Sequence, residues 1–234
     1  MNTKTMAVML GLLCVTGPLG AHDVWLVSKG DHLELLYGHE TPEPYDPAKI
    51  KEAKAYDKSG HEMAVKPLKL EQAFGVVPDP TAAMITIVFD NGYWVEAGST
   101  VWKNVGKDEA KKSANYSHPW KFHKSLFAWA PRFAQPTGLK FEIVPLQNPY
   151  TLKPGAILPV HVLFDGKPLA GTDVEYGLHG DKAPKVKTDG NGLASVPITK
   201  GPEQFIAVDY KLPADQDREA DHTSYATSLR YELK

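Results

Sequence analysis

The residues of this chain that could do chemistry are its nine histidines, His22, His32, His39, His61, His118, His123, His161, His179 and His222. The single cysteine, Cys14, lies in an apolar N-terminal stretch. Beyond that stretch a transition-metal site has only imidazole, carboxylate and amine to draw on. His22 is the first candidate. Gly20-Ala21-His22-Asp23-Val24-Trp25-Leu26 reads as a small-residue cleavage site followed by a new amino terminus. Cleavage after Ala21 gives His22 a free α-amine beside its imidazole, and the two can chelate one divalent ion. An internal histidine has its amine locked in a peptide bond. Asp23 and Trp25 are the supporting residues: the carboxylate to orient or add a ligand, the indole to pin the terminus.

Other ligands must come from distant segments, because no pair of histidines has a local zinc-type spacing. His39 follows Gly38 at a strand exit, close to loop carboxylates. His118 and His123 lie five residues apart among Tyr116, Trp120, Phe122 and Phe127. His222 follows Asp221 on an acidic loop. The candidate metal ligands are therefore His22, His39, His118, His123 and His222, with Asp221 as a further supporting carboxylate. His32, His61, His161 and His179 sit in or beside ordinary strand patterns.

The elements that position these residues are short strands. Val24 to Val27 and His32 to His39 flank a Ser28-Lys29-Gly30-Asp31 turn, the second with apolar residues at period two. A helical turn after Pro47 leads to a strand over 53–57. The β-branched run Ala82 to Phe89 predicts a central strand, and Asp90-Asn91-Gly92 a hairpin turn back into Tyr93-Trp94-Val95. Residues 107–129 read as a helical or irregular insertion. Pro131 to Gly138 reads as a linker. The remainder shows strands at the spacing of a sandwich, closing with Tyr225, Thr227, Leu229, Tyr231 and Leu233 on one face. The expectation is an all-β chain of two β-sandwich domains of immunoglobulin-like or transthyretin-like type. The boundaries are 1–21 for a signal peptide (a signal helix), 22–137 for a metal-site domain and 138–234 for the second sandwich.

Composition narrows the function classes. The 234 residues carry 26 basic and 28 acidic side chains without a basic patch, which argues against nucleic acid as a partner. No apolar run after the leader approaches the ~20 residues that span a bilayer. An exported chain without disulfides suits the bacterial periplasm. No nucleophile elbow or phosphate-binding glycine loop is present, so a non-enzyme is expected.

Several motifs together resemble an exported bacterial family of undefined function that is associated with nickel and cobalt uptake. They are the Ala-His-Asp-Val-Trp-Leu start, Tyr37-Gly38-His39, Phe89-Asp90-Asn91-Gly92-Tyr93-Trp94, Asn148-Pro149-Tyr150, Leu163 to Leu169, Thr188 to Gly192 and Tyr225 to Leu229. The C-terminal half is similar to transthyretin-like and carboxypeptidase-regulatory sandwiches. The resemblance implies a periplasmic accessory protein that binds nickel or cobalt, with copper and zinc as other ions for the same donors. It implies a metal-uptake transporter of the inner or outer membrane as partner, and carries over His22 and His39 as ligands. Two alternatives remain at this stage. One is an oxidative copper enzyme of the polysaccharide-monooxygenase type, in which a terminal histidine and a second histidine brace the metal. The other is an envelope adhesion module without metal.

Overall fold

The computed structural model describes residues 22–39, 41–71, 73–96, 102–113, 115–177, 183–212 and 220–233. The expected signal helix and His179 lie outside these residues. What is described is all-β, in three layers. The middle layer is an eight-stranded sheet in the order Lys185–Lys187, Asp173–Tyr176, Glu203–Leu212, Thr223–Glu232, Trp120–Leu126, Met84–Asp90, Ile50–Tyr56 and Glu62–Met63. Its pairs are antiparallel except at the centre, where Trp120–Leu126 runs parallel to Thr223–Glu232.

One face of this sheet packs on a four-stranded sheet built around Ile157–Phe164, flanked by Phe141–Pro145, Lys167–Pro168 and Leu193–Pro197. Alternation puts Leu158, Val160 and Val162 inward, against Ile206, Val208, Leu229 and Tyr231 of the large sheet. These two sheets form a sandwich whose core takes in Met84, Phe122 and Leu126 as well as residues beyond 138. The opposite face carries a second four-stranded sheet, ordered Asp23–Lys29, His32–Gly38, Phe74–Val77 and Lys66–Lys69. Here Val24, Leu26, Leu33, Leu35 and Tyr37 close over Ile85, Ile87 and Phe89.

The Asp23–Lys29 strand meets the large sheet edge-on. Val24 and Leu26 pack to one side, onto the Met84–Asp90 strand; Trp25 packs to the other, onto Phe205 and Ala207. Its free backbone edge therefore points at the parallel pair in the middle. A buried edge without hydrogen bonds is costly, and here side chains satisfy it. Ser228 Oγ donates to the Val24 carbonyl at 2.9 Å, and the Leu26 N–H donates to His123 Nε2 at 3.2 Å. With its hydrogen given to Val24, Ser228 accepts at 2.8 Å from His123 Nδ1, so His123 carries its hydrogen on Nδ1. Ser125 Oγ stands 2.7 Å from Nε2 on the same face.

Three expectations change. The insertion over 107–129 reduces to one helical turn, Lys107–Ala110, and the Tyr116–Ser117 bridge strand; Trp120–Leu126 is a central strand. It takes the strand state because both its faces are covered, so its polar residues find partners inside the protein. Asp90-Asn91-Gly92 does turn the chain, with Gly92 at φ 73°, but it forms no hairpin. Tyr93–Glu96 leaves for a small sheet with Trp102–Val105 and Tyr116–Ser117, because the Asn91 N–H is taken by the Pro119 carbonyl. The boundary expected at 137/138 falls within shared architecture: strands from before and after it hydrogen-bond in one large sheet.

Candidate metal centre

The first hairpin brings His22 and His39 together. Its register pairs Lys29 with His32 and ends by pairing Asp23 with Gly38. One step further sets His22 opposite His39, and their ring centroids lie 4.2 Å apart. The His22 ring is stacked on Tyr37 at 4.9 Å with 10° between planes, and Tyr37 is in turn stacked on Phe89 at 5.5 Å. A buried aromatic column thus sets the tilt of the His22 imidazole.

Gly38 brings the third group. At φ 145° it holds a conformation that side chains rarely adopt, and a Cβ there would stand 2.4 Å from the Thr41 carbonyl oxygen. The tight passage lets the Glu43 N–H donate to the Tyr37 carbonyl at 2.7 Å, and the Glu43 carboxylate reaches His22 Nε2 at 3.0 Å. An ionised carboxylate only accepts, so Nε2 carries the hydrogen and Nδ1 keeps its lone pair. Burial lowers the His22 pKa from its ordinary value. The His39 ring and the Lys121 ammonium push the same way, and Glu43 opposes them.

Beneath the site lies Lys121, buried between the two layers. Its ammonium donates to the His22 carbonyl and sits 5.9 Å from the Tyr37 ring centre. Burial lowers its pKa, while Asp23 and Asp209 favour its charge. Burial and the charge of Asp209 hold the Asp23 carboxyl well above the usual carboxylate range, with Lys121 pulling the other way. Asn91, also buried, donates to the Tyr37 hydroxyl at 3.1 Å and accepts from Lys49 at 2.9 Å.

The other candidates stand elsewhere. His118 Nε2 is paired with Asp90 at 2.6 Å, and its ring stacks on Tyr93 at 4.3 Å. His123 is fully buried, with both ring nitrogens engaged at the edge of the first strand. His222 is exposed; its backbone pairs with Tyr116 and His118. Asp221 caps the Tyr116 N–H at 3.3 Å. Trp25 stands edge-on to Phe205 at 6.5 Å. So the structure joins His22 to His39 and leaves His118, His123 and His222 apart from them, while Trp25 packs on Phe205 and Ala207. Among the described residues no three His, Cys, Asp or Glu side chains form a set that could hold a metal ion.

Sequence reasoning missed Glu43, Tyr37 and Lys121 as parts of this region. Tyr37 carried a usable signal, since it falls on the inward phase of its strand, whereas Lys121 alternates with Trp120 and Phe122 and so reads as a surface position. The position of Glu43 depends on the Gly38 backbone and has no periodic trace.

Comparison with known proteins agrees on a family. Residues 19–211 match the family described as Domain of unknown function (DUF4198). A protein of Haemophilus influenzae, described as uncharacterized, is 30% identical over 204 residues, covering 86% of this chain and 86% of that protein. With the match running from the approach to His22 through the Glu203–Leu212 strand of the large sheet, the chain belongs to the DUF4198 family.

Proposed function

We propose that this chain is a periplasmic metal-binding accessory protein whose cargo is a borderline divalent ion, nickel or cobalt, delivered to a membrane uptake system. Removal of residues 1–21 frees the α-amine of His22. The ion is then held by that amine, by His22 Nδ1 and by the His39 imidazole. The observation that carries the reading is the division of labour on the His22 ring. Glu43 takes Nε2 at 3.0 Å and leaves the nitrogen that lies next to the backbone, the one a chelate with the amine requires. Such a site needs two side chains and a terminus, so a set of three acidic, histidine or cysteine side chains is not called for. An all-nitrogen set of this kind suits Ni²⁺ and Cu²⁺, and the divalent affinity order places copper at least level with nickel in vitro.

The test is a nickel titration of two forms of the protein, one beginning at His22 and one with a single extra residue before it. The extension converts the amine to an amide. The expected result is a loss of affinity by orders of magnitude in the extended form. Equal affinities in the two forms overturn the reading.

A further inference from the structure

We propose that Lys121 is the positioning residue of the candidate centre: its buried ammonium fixes the backbone of His22 so that the α-nitrogen and the ring face one ion. This rests on the metal-binding reading above. A chain terminus frays unless something ties it down. Here the first strand is tied at three successive points along one edge. His123 takes the Leu26 N–H, Ser228 takes the Val24 carbonyl, and Lys121 takes the His22 carbonyl. The first two hold the strand. The third acts on the terminal residue itself.

A chelate through amine and imidazole requires two groups of one residue to be oriented together. The ring is set by the Tyr37 stack and the Glu43 hydrogen bond. Neither fixes the peptide plane. Holding the His22 carbonyl sets the torsion about the Cα–C bond, and with it the direction of the α-nitrogen. A neutral donor of the right length could make the same hydrogen bond more cheaply, because a fully buried ammonium carries a desolvation cost. The Lys121 ammonium also lies 5.9 Å from the centre of the Tyr37 ring, the same ring on which His22 stacks. Its reach from the Trp120–Leu126 strand also ties the terminus to the middle layer rather than to its own hairpin.

The experiment uses the full chain processed to begin at His22, with Lys121→Met, which keeps the length of the stem, and Lys121→Gln, which keeps a shorter donor. Three quantities are read: amide exchange at Leu26, ¹³Cα relaxation at His22 without metal, and Ni²⁺ affinity. The expected pattern in either variant is a protected Leu26 amide, a mobile His22 Cα and an affinity lower by about 10–100-fold, the usual range for loss of an outer partner of a ligand. If Met at this buried position prevents folding, the Gln variant gives the same readout. An ordered His22 with unchanged affinity in a folded variant overturns the proposal. Should the parent protein bind no Ni²⁺, the metal reading fails, and the His22 relaxation still decides whether Lys121 orders the terminus.

Discussion

His22 sits between opposing influences, and their signs can be checked one at a time. Burial, His39 and Lys121 disfavour its charged form, and Glu43 favours it. The imidazole of His22 should therefore titrate below its ordinary value, ~6.5, in an NMR pH series of the folded protein. Glu43→Gln removes the one neighbouring group that raises the pKa, so the midpoint should fall further. His39→Phe removes a like charge and should move it up. A midpoint that rises in Glu43→Gln contradicts the arrangement. The linkage follows from the direction. The unfolded chain takes up this proton first, so the contribution of His22 to stability is complete above ~6.5 and declines as pH falls toward the folded pKa. At this scale part of the site was legible. A hairpin turning at Gly30-Asp31 places residue 22 opposite residue 39, and the second of its strands was evident from its period. Glu43 was not legible, since it arrives through a glycine conformation that no hydrophobic pattern encodes.

At the scale of the element, the Trp120–Leu126 strand explains most of what sequence reading misjudged. Three of its residues, Lys121, His123 and Lys124, look like surface positions, yet each is buried. They alternate between the two faces. Lys121 and His123 serve the edge of the first strand, and Lys124 serves the sandwich. Its ammonium donates to Glu142 at 2.5 Å and to the Ile143 carbonyl at 3.1 Å. Glu142 also accepts from the Thr137 N–H and hydroxyl and from the Gly138 N–H. Polarity alone does not reveal this, because the partners come from strands far along the chain. Breaking one side of such a buried pair leaves an uncompensated charge. Glu142→Gln should cost about 3–5 kcal/mol in denaturant unfolding. Replacing both, Lys124→Met with Glu142→Leu, should restore much of it. A loss under 1 kcal/mol in the single variant would show that the pair is not holding the layers together.

At the scale of the whole molecule, the decisive feature is the large sheet shared by both halves of the chain. The all-β class and most strands were legible from period-two patterns and turn residues. The layer arrangement was not, because the sequence does not say that Thr223–Glu232 inserts between Trp120–Leu126 and Glu203–Leu212. The closing strand was read as half-buried, yet Ala226, Ser228 and Arg230 are as buried as Tyr225, Leu229 and Tyr231. Its second face lies under the first strand. Two independent domains would unfold in two steps. A shared sheet predicts one: the near-ultraviolet signal of the tryptophans and the far-ultraviolet strand signal should fall together in urea, and separate midpoints would argue for autonomous halves. The same insertion gives the first strand a distant dependence. Ser228, which holds the Val24 carbonyl, stands 204 positions further along the sequence. A segment read early is therefore secured by one read late, and a chain cut before Thr223–Glu232 should leave the His22 strand without one of its side-chain ties.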